Sequence, residues 1–280
     1  MPEGDTIFRA ARTLNRALSG QTVAKFDTEL PQLARVDFVS PIAGRTVESV
    51  ASSGKWIKMS FSGDLILLTH MLISGSWHIY RPGEVWQRHR QQMRVAIYTE
   101  KFVAVAFLVP IAEFHTADTL RRHRSVTKLG PDILSLEFDE EDAAARIAAH
   151  PELEVGVALL SQSIVAGLGN VFKSEVSFAS GVNPFRLVGS LRSEELRALV
   201  SNARKFMLAN VADGSGGQIV TYTGFRRTTG RADQSERLWV YRRRGEPCRR
   251  CGTGIQSLKQ GLDARVTFWC PQCQPIRSSS

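Results

Sequence analysis

The alternation of apolar and polar positions changes period along the chain. Over residues 5–19, Ile7, Ala11, Leu14 and Leu18 recur at helical spacing and Gly20 follows as a stop, so a helix is expected there. Strand patterns then dominate to about residue 118. KWIKMSF alternates from Lys55 to Phe61, SGD supplies a turn and LILLTHMLI returns, which reads as a hairpin. RVAIY, TEK and FVAVAF read as a second hairpin, and together they predict a β-rich N-terminal domain built as a sandwich. The basic stretch LRRHRSVTKLGPD follows, with Gly130-Pro131 as a hinge. From Glu137 the period becomes helical through DEEDAAARIAAH, VGVALLSQSI, NVFKSEVSFAS and SEELRALVSNARKFMLANV. The segment 212–236, rich in Gly, Thr and Arg, reads as a mobile loop, and short strands surround cysteines from Leu238 onward. The division expected is a β-sandwich over 2–118, a linker over 119–136, a helical domain over 137–237 and a cysteine hairpin over 238–277.

Composition adds a partner. With 280 residues, 43% of them apolar, the chain can bury a core in two domains of ordinary size. Its net charge is +9, and the excess is segregated: Thr221 to Ser280 holds 12 Lys/Arg against 4 Asp/Glu, a net of +8. Segregated positive charge is expected of a face that docks on a polyanion, nucleic acid or anionic membrane. The first ten residues carry Glu3 and Asp5 and no apolar signal core, and the longest apolar stretch, Leu65 to Ile73, is interrupted by Thr69 and His70. A cytoplasmic protein with reduced thiols is therefore expected.

The four cysteines form two pairs, CRRC at Cys248 and Cys251 and CPQC at Cys270 and Cys273, separated by 18 residues. Two such pairs converge on a tetrahedral four-thiolate site, for which zinc is the expected ion. Four protein ligands leave no open position, so the metal is structural. Such a hairpin fixes Arg265, in LDARVTFW, in place, with Arg249, Arg250 and Lys259 around it. Upstream, LLSQSIVAGLGNVFKSEVSF holds an apolar helix, a Gly167-Leu168-Gly169 turn and Asn170, expected as the N-cap of the next helix. A helix start of this kind suits a phosphate.

MPEGDT at the start, SGKWIK at 53–58, AGLGN at 166–170 and GEPCRRCG with FWCPQC within 245–273 stand in an order that resembles the formamidopyrimidine-DNA glycosylase and endonuclease VIII family of base-excision repair. The likeness spans nearly the whole chain. It implies a multi-domain α+β fold: an N-terminal β-sandwich with flanking helices, a helix–two-turn–helix domain and a C-terminal zinc-finger β-hairpin, with DNA between the two halves. It also implies a bifunctional glycosylase and AP lyase. Pro2, exposed as a secondary amine once Met1 is trimmed, matches the nucleophile and Glu3 its acid/base partner. Lys55 matches the residue of β-elimination and phosphate contact, and Arg265 that of δ-elimination. Asn170 and Arg265 match a phosphate clamp, His70 a histidine near the backbone phosphates, and Leu72, Ile73 and Ser74 a wedge into the base stack. One Zn2+ on Cys248, Cys251, Cys270 and Cys273, no other cofactor, damaged DNA as partner, no membrane, a monomeric state and association with the nucleoid complete the expectation.

The residue types make chemical sense together. A terminal amine titrates near 7.7–8.0 rather than about 10.4 for lysine, so it is a better nucleophile at neutral pH. A carboxylate beside it can move the protons the reaction sheds. Thr6 departs from the family, where a second glutamate is usual. YTEKFVAVAF lacks the arginine–phenylalanine pair of the formamidopyrimidine branch, and TTGRADQSERLWVYRRRGEP resembles the endonuclease VIII branch. Oxidised pyrimidines are therefore expected over 8-oxoguanine. The competing reading is a non-catalytic damaged-DNA-binding paralogue of the same fold. An RNA-binding zinc ribbon leaves MPEG without a role.

Overall fold

Glu3 leads directly into α1 (Gly4–Leu18), whose buried face is Ile7, Ala11, Leu14 and Leu18. A 15-residue helix is marginal by itself in water; burying each large aliphatic side chain contributes about 1.5–3 kcal/mol, so α1 is held by what it packs on. That partner is an antiparallel sandwich. One sheet has the order β1-β6-β7-β5, from β1 (Lys25–Thr28), β5 (Ser76–Tyr80), β6 (Met93–Tyr98) and β7 (Val103–Phe107). The other has the order β2-β3-β4-β8, from β2 (Val47–Ser53), β3 (Trp56–Phe61), β4 (Leu65–His70) and β8 (Ile111–His115). Val50, Ile57, Met59 and Leu67 of the second sheet share one core with Val95, Ile97, Ala104 and Ala106 of the first and with the α1 face.

Both expected hairpins are present. β3 and β4 pair from Trp56↔His70 to Phe61↔Leu65, and β6 and β7 meet at Tyr98↔Val103. The return strand stops at His70, short of the expected Ile73. A helix, α2 (Pro31–Val39), also lies within the stretch expected to be strand-rich. Only Leu33 of α2 is buried while Phe38 and Val39 are exposed, so it carries no helical stripe; Pro31 at its first turn was its one local mark. After β8 come α3 (Ala117–Arg121), opened by a reciprocal Thr116–Thr119 capping box, and α4 (Arg124–Thr127).

This computed structural model describes residues 2–212, 219, 221 and 237–276. It divides into two units, Met1–Lys128 and Leu129–Ser280; the mobile loop expected over 212–236 lies almost wholly outside the described residues. The second unit holds α5 (Glu140–Ala148), capped by Asp139, then α6 (Val155–Leu160), α7 (Asn170–Ala179) and α8 (Ser193–Ala212). The hairpin of β9 (Gln256–Gln260) and β10 (Arg265–Trp269) packs against α7 within the same unit. The whole is a mixed α+β fold: sandwich, helix–two-turn–helix and zinc-finger hairpin.

Candidate active site and zinc centre

In the first unit, Glu3 is fully buried while Pro2, ahead of it, is partly exposed. Glu3 has extended backbone and occupies the N-cap position of α1, so its carboxylate lies at the positive end of a helix. Asp5, in the same first turn, is also fully buried. Burial raises its pKa, and Arg9, 3.3 Å away, partly offsets this. Thr6, the family departure, donates to Asp5 (3.4 Å) and accepts from Arg9 (3.4 Å), so it belongs to this small polar cluster.

Lys55 does not open a strand as its alternation suggested. Gly54 and Lys55 are the two loop residues between Ser53 and Trp56, which pair across β2 and β3. Gly54 has φ +57, as a two-residue hairpin needs at its first position, so the pleat delivers Lys55 to the tip. Trp56 pairs with His70, which brings the next side chain of interest alongside. The His70 ring sits edge-on to the Trp56 indole at 4.8 Å, and its Nδ1 accepts the Leu72 amide proton at 3.1 Å. Burial, and then the charge of Lys55, push the His70 pKa down to about 4. His70 is thus neutral at pH 7 with the proton on Nε2, a donor for an anion.

The four residues after His70 make a tight turn. The Gly75 amide donates to the Met71 carbonyl at 2.9 Å, and a Cβ at Gly75 would stand 2.5 Å from that oxygen. Met71 is buried, whereas Leu72 is 44% and Ile73 68% exposed and Ser74 is exposed beside them. Leu72 has φ +45, a left-handed conformation uncommon for a non-glycine residue. The turn thus presents three consecutive side chains, two of them apolar, to solvent.

In the second unit the expected cap is displaced by one residue. Gly169 is the N-cap of α7 and Asn170 its first residue. The Asn170 amide group donates to the Val266 carbonyl at 2.8 Å, while its buried Oδ1 has no partner among the described residues. Arg265, exposed, directly precedes Val266. The Asn170 side chain is therefore bonded to the residue that follows Arg265. The turn ahead of α7 is held by Gln162, which sequence reasoning did not single out. Its amide nitrogen donates to Leu160 and Leu168 carbonyls, both at 2.9 Å, and its oxygen accepts from Gly167 at 3.1 Å. Gly167 has φ +110, which explains the glycine.

Two further buried groups were silent in the sequence. Lys173 donates to Thr267 at 2.6 Å, Thr267 to Gln260 at 2.7 Å, and Gln260 to Glu154 at 2.9 Å, a chain that seats the hairpin on the helices. Glu175, fully buried, accepts amide protons of Trp239, Val240 and Tyr241 at 2.8–2.9 Å and the Thr221 hydroxyl. Burial raises its pKa and these donors oppose the rise. Spacing gives no hint of either residue, because Thr267 and the 239–241 backbone that meet their side chains lie far away in sequence.

The cysteines gather as their spacing required. All four are free thiols, with Sγ atoms within 4.8 Å of one another, and the pairs Cys248–Cys273 and Cys251–Cys270 lie 3.9 and 3.5 Å apart. A tetrahedral zinc with Zn–S near 2.3 Å requires roughly 3.8 Å between sulfurs, so the set fits the ion. Amide protons of Arg250 and Cys273 point at Cys248 and Cys270 sulfurs, as around bound thiolates. Hydrogen bonds from Thr253 bring Cys251 down to about 6. Burial and neighbouring sulfurs raise Cys270 and Cys273, which a central dication would reverse. The four residues form one structural zinc site. Of the basic residues expected around the hairpin, Arg250 instead lies over the rings of Phe178 (4.7 Å) and Trp239 (5.7 Å), and Arg249 donates to the Leu238 carbonyl.

Three family descriptions match in succession: "Formamidopyrimidine-DNA glycosylase N-terminal domain" over 1–110, "Formamidopyrimidine-DNA glycosylase H2TH domain" over 129–221 and "Zinc finger found in FPG and IleRS" over 245–276. The chain belongs to the formamidopyrimidine-DNA glycosylase and endonuclease VIII family. It is 38% identical to a "Probable endonuclease 8 2" of Streptomyces coelicolor, covering 98% of this chain and 94% of that one. It is 36% identical to a "DNA-(apurinic or apyrimidinic site) lyase Nei2" of Mycolicibacterium smegmatis over 98% and 99% of the two chains. In fold it matches the Lactococcus lactis formamidopyrimidine-DNA glycosylase, solved with DNA containing an abasic site, with a TM-score of 0.80 at 21% identity over 98% and 100% of the chains. No helix of the described residues is long and apolar enough to cross a membrane.

Proposed function

We propose that this chain is a bifunctional DNA glycosylase and AP lyase of base-excision repair, acting as a monomer on damaged DNA of the nucleoid, with 2–118 as its catalytic sandwich and 137–237 with 238–277 as its DNA clamp. Relatives named endonuclease 8 and AP lyase, matched end to end, support the activity. The observation that ties it to atoms is the fully buried Glu3 between Pro2 and the start of α1.

Once Met1 is trimmed, the Pro2 nitrogen attacks C1′ of the damaged nucleotide. The bond from C1′ to the base breaks, and the base leaves with a proton. Opening of the sugar transfers a proton to O4′ and leaves an iminium between Pro2 and C1′. The iminium acidifies C2′; loss of that proton expels the 3′ phosphate, a second proton loss expels the 5′ phosphate, and water releases Pro2. Glu3 handles the protons at the sugar. Lys55, at its hairpin tip, serves the first elimination and a phosphate. Arg265 keeps its charge throughout and stabilises the leaving phosphate of the second. Neutral His70 donates from Nε2, and Asn170 with the α7 start holds a phosphate. Leu72, Ile73 and Ser74 fill the gap left by the flipped nucleotide. Apolar Leu72 and Ile73 suit filling rather than reading the opposite base, and with the endonuclease 8 relatives they support oxidised pyrimidines such as thymine glycol as substrates.

The test is borohydride trapping on duplexes carrying thymine glycol, 8-oxoguanine or an abasic site. A covalent adduct mapped to Pro2, strongest with the pyrimidine lesion, is expected. Pro2→Gly and Glu3→Gln should each lower excision by about 10²–10⁴-fold while DNA binding persists. No adduct with any substrate, from protein with Met1 removed and zinc bound, establishes the non-catalytic paralogue instead.

A further inference from the structure

Glu113 and His115 are two residues apart on β8, so both side chains leave the same face of this edge strand. The chain then forms α3 and turns back, so that His123, the residue before α4, meets them. Nε2 of His115 is 3.1 Å and Nε2 of His123 is 3.2 Å from one and the same oxygen, Glu113 Oε2. One ligand atom from each of the three residues lies within 4.8 Å of the others. All three belong to the first unit and none to the reaction proposed above.

We propose that Glu113, His115 and His123 form a second metal site, for a divalent first-row transition cation such as Zn2+, Co2+ or Ni2+. A tetrahedral ion with nitrogen and oxygen ligands near 2.0–2.2 Å spaces its donors roughly 3.3–3.6 Å apart, close to the two short edges seen here. Two imidazoles and one carboxylate favour such ions over Mg2+ or Ca2+, which take oxygen ligands. The side chains are 42% (Glu113), 15% (His115) and 18% (His123) exposed, so an ion has a path in and water can complete its coordination. Nδ1 of His123, the nitrogen turned away from Glu113, is buried and has no partner among the described residues, so it stays unsatisfied whether or not an ion occupies Nε2. No outer acceptor fixes that ring's tautomer, so binding is expected about 10–100-fold weaker than at a fully supported site of this donor set.

The neighbourhood supplies a reporter. The Trp56 indole stands edge-on to the His123 ring at 5.5 Å, so a paramagnetic ion bound there lies close enough to quench it. The experiment takes tag-free protein with its cysteine site loaded with zinc and titrates it with Co2+. Tryptophan fluorescence, visible absorption and bound cobalt per chain are read together. One cobalt per chain is expected, quenching fluorescence and lacking the thiolate-to-cobalt charge-transfer band. His123→Gln and Glu113→Gln should each weaken it at least tenfold with the far-ultraviolet dichroism unchanged. Trp56→Phe should keep the cobalt and lose most of the quenching. Three results overturn the site: no saturable cobalt beyond the cysteine site, cobalt with thiolate charge transfer, or undiminished binding in the folded His123→Gln and Glu113→Gln variants. The first leaves Glu113, His115 and His123 as a hydrogen-bonded cluster only.

Discussion

His70 shows how a residue's surroundings set its chemistry. Its folded pKa is lowered from 6.5 to about 4 by burial and by Lys55. Between those values the unfolded chain binds a proton that the folded protein refuses, so stability rises with pH across that window. The contribution of neutral His70 is complete above about pH 6.5 and is lost progressively as pH falls toward about 4. Urea unfolding of wild type and His70→Gln at a series of pH values should show the difference between them sloping between pH 4 and 6.5 and flat above. A difference that is flat throughout contradicts the depressed pKa. The residue types of the proposed site and of the zinc centre stand out by motif at this scale: Pro2, Glu3, Lys55 and the cysteines. What was not legible is what they touch. Asn170 reads as a cap, yet Gly169 takes that position and the Asn170 amide donates to Val266, 96 positions on. Glu175 and Lys173 carry no local pattern, since the partners that define them come from Val240 and Thr267, far along the chain.

Among the elements, hairpins were the most readable, because a two-residue period and a turn specify them locally. Helix α2 was not, since a helix with one buried side chain leaves no periodic trace. The turn after β4 is the element in which conformation and proposed role meet. Leu72 holds φ +45 while its side chain remains 44% exposed. A non-glycine residue in that region costs on the order of 1–3 kcal/mol. Leu72→Gly removes that strain and adds unfolded-state freedom, so stability should change by less than about 1 kcal/mol. Excision from duplex DNA should fall about tenfold, because the filling group is gone. Denaturation midpoints and single-turnover excision measured on the same variant separate the two effects. A large loss of stability instead marks Leu72 as ordinary packing.

For the whole molecule, the zinc hairpin and α7 form one unit joined by buried polar contacts, so removing the metal should reach the helix–two-turn–helix turn. Chelation is expected to release β9–β10 from Lys173 and Asn170 and abolish DNA binding, while the sandwich keeps its fold. Zinc release, DNA affinity and the near-ultraviolet signal of a Trp239→Phe, Trp269→Phe variant, whose tryptophans all lie in the first unit, test this in one titration. Unchanged affinity after verified zinc loss rules it out. The order of domains was readable because each carries its own motif.

The chain from Lys173 through Thr267 and Gln260 to Glu154 bears on how this protein can be re-engineered. The metal shapes the finger, but Thr267 and Gln260 give it its address. A finger grafted from a distant relative with only the four cysteines matched would fold around its ion and dock poorly. It would leave the Lys173 ammonium without its hydroxyl acceptor in the interior. The transplantable module is therefore the hairpin together with its receptors on α6 and α7, and chimeras should be cut ahead of Glu154 rather than at the cysteines.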